Sequence, residues 1–354
     1  MSRVAARIAL ALGAAAAATL AVSLPTSATS SRAAGSLIDV PVHFTVRDVN
    51  RTPLHCPTSG RTYTVAGRLV APASGVGSAA TLYLSGVIFS GLFEFHNDLV
   101  PGYDFTREMA KLGHTSVVID RLGYGKTRPY PRDGRSVCVG ALADGVHQVI
   151  SALHTGRYSA GGDPRSFKRV AVGAYSLGGV IAELEQASFG DQSALALISW
   201  ADQGFSRYGT PPSYVLASCS PGLAKAPGGV KGYLRVLPPE KVPPLLSRAA
   251  DPRIIATLRT HEELDPCGQQ LTGYKWFTGL AQLAWPRITI PVLVIYGHYD
   301  VLFTPGAWLA QWAHFINTRD RTLIGIPDGQ MLMLDRHVPL TRRLLSGWLA
   351  VHGL

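Results

Sequence analysis

Charge is scarce in this chain. Only 16% of its 354 residues are Asp, Glu, Lys or Arg, against 47% hydrophobic, so a disordered polyelectrolyte is excluded. Basic residues outnumber acidic ones, 33 to 23. They never form a block of five or more, and three of them, Arg3, Arg7 and Arg32, fall in a leader segment. A nucleic-acid partner is therefore not expected. No His/Cys cluster has structural-zinc spacing, no period of repeat length recurs, and Gly and Pro are scattered without a collagen-like order. These absences exclude zinc fingers, solenoids and fibres.

The leader itself is informative. Arg3 and Arg7 precede an uncharged, alanine-rich run from Ile8 to Leu24, followed by Pro25 and small residues up to Ala34. The segment 1–34 reads as a secretory signal, with no membrane attachment expected after its removal; an uncleaved anchor is the alternative reading. In an exported chain the even set Cys56, Cys138, Cys219 and Cys267 implies two disulfides among three possible connectivities. We expect Cys56 with Cys138 and Cys219 with Cys267.

Apolar runs bounded by turn residues predict strands at about 38–46, 63–70, 82–89, 115–119, 170–174, 194–200, 292–296 and 322–326. Helical periodicity predicts helices at 105–112, 141–154, 177–187, 307–315 and 340–351. The early strands follow one another directly and the later ones alternate with helices. The expected fold class is α/β: a mostly parallel eight-stranded sheet with helices on both faces. The alternation breaks once, in a proline-rich stretch. The expected organisation is therefore a core in two parts, 35–203 and 286–354, with a lid over 204–285 inserted above the C-terminal edge of the sheet.

The segment Val170 to Val180 carries the clearest chemistry. A short apolar strand turns abruptly at Ser176 into a helix, with Ala174 and Gly178 as the small residues two before and two after it. That pattern, A-Y-S-L-G, resembles a nucleophile elbow, which projects a serine hydroxyl from a tight turn with a helix N-terminus behind it. An ordinary strand-to-helix turn capped by serine is the plain alternative. Other segments fall in matching order. Ser90-Gly91-Leu92 stands where an oxyanion loop is expected, Asp120 to Thr127 is similar to an architectural D-x-x-G-x-G-x-T turn, and Gly297-His298-Tyr299-Asp300 is similar to the loop that presents a catalytic acid.

From about Val40 onward the chain thus resembles the α/β-hydrolase superfamily, in particular its secreted members. The resemblance implies Ser176 as nucleophile, Asp300 as the orienting acid, and the N–H groups of Leu92 and Leu177 as oxyanion donors. It implies no metal or organic cofactor.

The chain departs from the family at the general base. Gln330 stands where the histidine is expected, in Ile326-Pro327-Asp328-Gly329-Gln330-Met331. An amide holds a hydrogen bond but cannot take the serine proton near neutral pH. Whether Gln330 is a natural loss or an introduced substitution is open at this stage. Among substitute bases His96 is the strongest, ahead of His298 and His337, and Asp202 is an alternative acid. Two functions remain in view. One is a secreted serine hydrolase acting on a small, apolar ester or related acyl compound with an atypical or impaired base. The other is an inactive scaffold that binds an apolar small molecule or a partner beneath the lid. Oligomeric state is not legible in the sequence.

Overall fold

A computed structural model describes residues 36–127, 131–209, 212–220, 230–237 and 240–354. The expected signal segment 1–34 lies outside them. The strands are β1 (Ile38–Arg47), β2 (Thr62–Ala71), β3 (Ala79–Leu84), β4 (Ser116–Ile119), β5 (Ser159–Ala160), β6 (Arg169–Tyr175), β7 (Ala194–Ile198), β8 (Tyr233–Leu234), β9 (Asp265–Pro266), β10 (Val292–Gly297) and β11 (Arg321–Ile326). Nine of them form one sheet in the order β11-β10-β7-β6-β3-β4-β2-β1-β5. Each of the eight expected strands overlaps an observed one, and the ninth is the two-residue β5, paired antiparallel with β1. It is too short to leave a periodic signal. From β4 to β11 every neighbouring pair is parallel, while β2 and β1 run antiparallel to their neighbours.

The parallel strands read as continuous apolar runs because both faces are covered. In β6, Val170, Val172 and Ala174 point into one buried cluster, where they meet Val146 and Val149 of the helix Val139–Thr155 and Val180 of the helix Gly178–Phe189. The alternate residues Ala171 and Tyr175 point into the opposite cluster with Phe105 and Met109 of the helix Phe105–Lys111 and Leu345 of the helix Val338–Val351. Because these strands run parallel, their C-terminal ends and the loops that follow them lie along one rim.

One expected strand is misplaced. Val87-Ile88-Phe89 has the composition of a strand, but β3 ends at Leu84, and Ile88 has φ 78°, a left-handed conformation no strand accommodates. The stretch is a loop whose apolar side chains are buried by tertiary contacts, and the helix Gly91–Phe95 follows it, capped by Ser90.

Between β7 and β10 the chain contributes no strand to the main sheet among the described residues. The insertion forms short helices and the two-stranded β8–β9 ladder. Its disulfide, Cys219–Cys267, joins the helix Pro212–Cys219 to the start of the helix Cys267–Lys275. Cys56–Cys138 ties the segment after β1 to the N-terminus of the helix Val139–Thr155. Both pairings are the expected ones.

Candidate functional site

β6 runs straight into Ser176, whose φ is 49°. A non-glycine residue in that region costs roughly 1–3 kcal/mol and persists only where its surroundings fix it. Here the Ser176 N–H donates to the Ile198 carbonyl at the end of β7, 2.9 Å away, and the Ser176 carbonyl accepts from the Gly179 N–H at 2.8 Å. Close packing explains the small residues around the turn. A methyl group on Gly178 would lie 2.7 Å from the Ser85 carbonyl oxygen, and one on Gly179 would enter the Trp200 ring.

Ser176 opens into a cavity of about 420 Å³, within the usual size range for small-molecule sites. Residues of the insertion, Val236 and Tyr274 among them, line it. Apolar and aromatic side chains, among them Trp200, Phe205, Phe277 and Phe303, make most of the wall, and Arg207 is the only charged residue in it among the described residues. Ser176, Leu177 and Gln330 all line this cavity.

The oxyanion loop is not where the sequence reading put it. The Leu92 N–H donates to the Asp120 carboxylate at 2.9 Å, and Leu92 faces a separate depression with His43 and Lys126. It is unavailable to an oxyanion. Because β3 ends at Leu84, the turn beside the elbow is Ser85-Gly86-Val87. A methyl on Gly86 would lie 2.8 Å from the Ser176 Cβ, and Val87 lines the cavity beside Ser176. The N–H groups of Val87 and Leu177 meet no acceptor among the described residues.

Side chains clamp that turn on both sides. Glu94, wholly buried, accepts from the Gly86 N–H at 3.1 Å, and Asp265 of the insertion accepts from the Ile88 N–H at 3.1 Å. The Arg121 guanidinium, also buried, donates to the Gly86 carbonyl and, at 2.6 Å, to the Gln269 side chain. Burial pushes the Glu94 carboxyl well above its ordinary range and Asp265 up to about 7. Backbone donors and acceptors flanking Val87 are thereby occupied, while its own N–H meets no acceptor among the described residues.

Asp300 and Gln330 come from adjoining loops. Asp300 follows β10, and its Oδ1 accepts from the Leu302 N–H at 2.8 Å. Its Oδ2 is buried without a partner, so burial pushes the carboxyl up to about 7. The Tyr299 N–H donates to the Asp328 carbonyl at 2.9 Å, which couples this loop to the one carrying Gln330. Gln330 is fully buried beside the Tyr175 hydroxyl. Its amide donates to the Ser199 carbonyl at 3.0 Å, and its Oε1 has no partner.

A family model described as the alpha/beta hydrolase family matches residues 99–342. The chain belongs to the alpha/beta hydrolase family. Solved structures agree on the fold. A monoacylglycerol lipase from Paleococcus ferrophilus is similar at a TM-score of 0.58 and 17% identity, over 81% of this chain and 99% of that one. A thermophilic esterase from Thermogutta terrifontis gives 0.59 and 15%, over 88% and 98%. An esterase from Exiguobacterium antarcticum gives 0.58 and 15%, over 87% and 99%. No curated protein matches the sequence.

Within this family member the histidines weighed as substitute bases all have other neighbours. His96 Nδ1 faces the Thr106 hydroxyl at 2.9 Å and the Asp104 carboxylate at 3.2 Å, and its Nε2 lies 3.8 Å from Asp39. The helix Gly91–Phe95 carries it away from the cavity, of which it is not a lining residue. His337 pairs with Asp328 at 2.7 Å, and His298 packs over Gly325 of β11 and the edge of Tyr296. Asp202 is likewise committed. Its carboxylate accepts from the indoles of Trp200 (3.1 Å), Trp276 (2.8 Å) and Trp285 (2.7 Å), and from Gln311 (3.3 Å). Trp276 and Trp285 belong to the insertion, so Asp202 anchors that segment to the sheet. Asp120, expected to be architectural, accepts from the Leu92 and Lys126 N–H groups within its turn.

The sequence reading missed Glu94, Arg121, Asp265 and Gln269. They are far apart along the chain, and no motif spacing joins them; only the fold makes them one network.

Proposed function

We propose that this protein is an exported serine hydrolase of the α/β-hydrolase fold, acting on an ester or related acyl bond of a small, largely apolar substrate. The observation that carries this reading is Ser176 held at φ 49° on the strand-to-helix turn, opening into an apolar cavity. Ser176 is the nucleophile. Its oxyanion donors are the N–H groups of Leu177 and Val87, the latter replacing Leu92, and the N-terminus of the helix Gly178–Phe189 adds its dipole. Asp300 occupies the acid's position and Gln330 the base's. Residues 204–285 act as the lid. The two disulfides suit an oxidising compartment, and among the described residues no helix is long and apolar enough to cross a membrane.

In this reading the hydroxyl of Ser176 attacks the acyl carbon, the carbonyl oxygen takes the negative charge toward Val87 and Leu177, and the serine proton must leave. Gln330 cannot take it. Turnover then relies on water or the leaving group as proton carrier, and such a site keeps only the share of catalysis due to binding and oxyanion stabilisation. A second reading is favoured by one specific observation: among the described residues the cavity wall holds neither imidazole nor carboxylate. That suits a scaffold that binds an apolar ligand without cleaving it.

A fluorophosphonate probe and a short-chain chromogenic ester separate the two. The enzyme reading expects slow labelling that disappears in Ser176→Ala, together with weak but measurable hydrolysis. No labelling of Ser176 in either the parent or Gln330→His, with an apolar dye still bound, favours the scaffold.

A further inference from the structure

Away from the cavity, the helices Val139–Thr155 and Gly178–Phe189 and the turn after the second bring together His147, Glu185 and Asp191, with one ligand atom from each within 4.8 Å of the others. Glu185 lies nine residues beyond Ser176, roughly 13 Å along the helix. His147 Nδ1 is 2.7 Å from Asp191 Oδ2 and 3.8 Å from Glu185 Oε1.

A carboxylate in the seam between two helices is costly unless its oxygens are served. Glu185 is fully buried, and its Oε1 has no hydrogen-bond partner; nor does the buried Oδ1 of Asp191. An imidazolium does not resolve this. The N–H on Nδ1 has one direction, and at 2.7 Å it is taken by Asp191, which leaves the Glu185 oxygen unserved at 3.8 Å. A cation serves all three atoms at once. Donors around a tetrahedral zinc ion lie about 3.4 Å apart, given bonds near 2.1 Å, and the separations here bracket that value.

The surroundings are those of ligands held in place. Gln192 donates its amide to Glu185 Oε2 and, at 2.8 Å, to the Ala182 carbonyl, and it takes no part in the triad itself. The His147 ring stacks on Phe189 with centroids 4.0 Å apart. His147 and Asp191 are partly exposed and Glu185 is not, so an ion has an entry path and a water-facing fourth position.

We propose that His147, Glu185 and Asp191 form a binding site for a divalent transition-metal ion of the zinc type. It would pin the two helices that pack on one face of the sheet. One imidazole and two carboxylates suit zinc better than calcium or magnesium, which prefer all-oxygen sets.

The test uses untagged, chelator-treated protein dialysed against zinc chloride, with metal counted per chain and thermal unfolding followed alongside. The parent is expected to hold one equivalent and to gain about 3 °C or more in Tm at saturating zinc. Glu185→Gln and His147→Gln, folded as judged by their Tm in chelator, are expected to hold none and to gain nothing. A parent that binds no zinc, its carboxylates sharing a proton instead, overturns the proposal. So do variants that keep the equivalent. Neither result bears on Ser176, because the site is independent of the cavity.

Discussion

Gln330 and Ser199 are joined by a single hydrogen bond, the side-chain amide donating to the backbone carbonyl at 3.0 Å, while the other end of the amide, Oε1, is buried without a donor. Asp300 Oδ2, on the adjoining loop, is likewise buried and unpartnered. An imidazole at position 330 has one nitrogen to donate and one to accept, where the amide offers only a donor and an unpartnered oxygen.

Gln330→His should therefore raise ester turnover by at least ~10²-fold, the usual contribution of a positioned general base. Steady-state hydrolysis against pH checks it. The variant's rate should climb as the imidazole deprotonates, through a pKa near or above ~6.5, a limb the parent lacks. An unchanged rate would mean that position 330 does not face Ser176.

Asp300 makes a second prediction through its raised pKa of about 7. Its unfolded value is near 3.8, so between those two pH values the unfolded chain sheds the proton while the folded one keeps it. The contribution of Asp300 to stability is thus unchanged below pH 4, becomes increasingly unfavourable as pH rises toward 7, and levels off above. Asp300→Asn should match the parent's Tm near pH 4 and exceed it at pH 8.

Gly86 tests the proposed oxyanion loop. In Gly86→Ala the added methyl meets the Ser176 Cβ at 2.8 Å and the Tyr175 ring at 3.1 Å, so the turn must retreat. Fluorophosphonate labelling should slow by about 10²-fold, the scale of an ångström misplacement. Leu92→Ala, which leaves the backbone in place, should label at nearly the parental rate.

Asp202→Ala strands three buried indole N–H groups, each costing about 1–3 kcal/mol. Denaturant unfolding should show a loss of at least about 3 kcal/mol, with protease sites in the insertion exposed first.

Strong local patterns made the sheet, the helices and the elbow legible in the sequence. Val170 to Gly178 announces both its strand and its turn, since apolar run, serine and glycine are contiguous. The end of β3 was not legible because Val87-Ile88-Phe89 carries a strand's composition while serving as buried loop, and Ala79-Ala80, a true strand start, carries little signal of its own. That shift of β3's end moved the loop from 85–87 to 90–92. His96 followed the same error, since its expected place over Ser176 depended on where that loop stood. The clamp of Glu94, Arg121, Asp265 and Gln269 is long-range pairing, which no local window contains.

Half of the molecule's six tryptophans hang from the single Asp202 carboxylate, two of them arriving from the insertion and one from the sheet. The chain thereby carries its own optical gauge. Indole emission depends on what the ring N–H touches, so intrinsic fluorescence reports directly whether the roof over Ser176 is seated on the body beneath it.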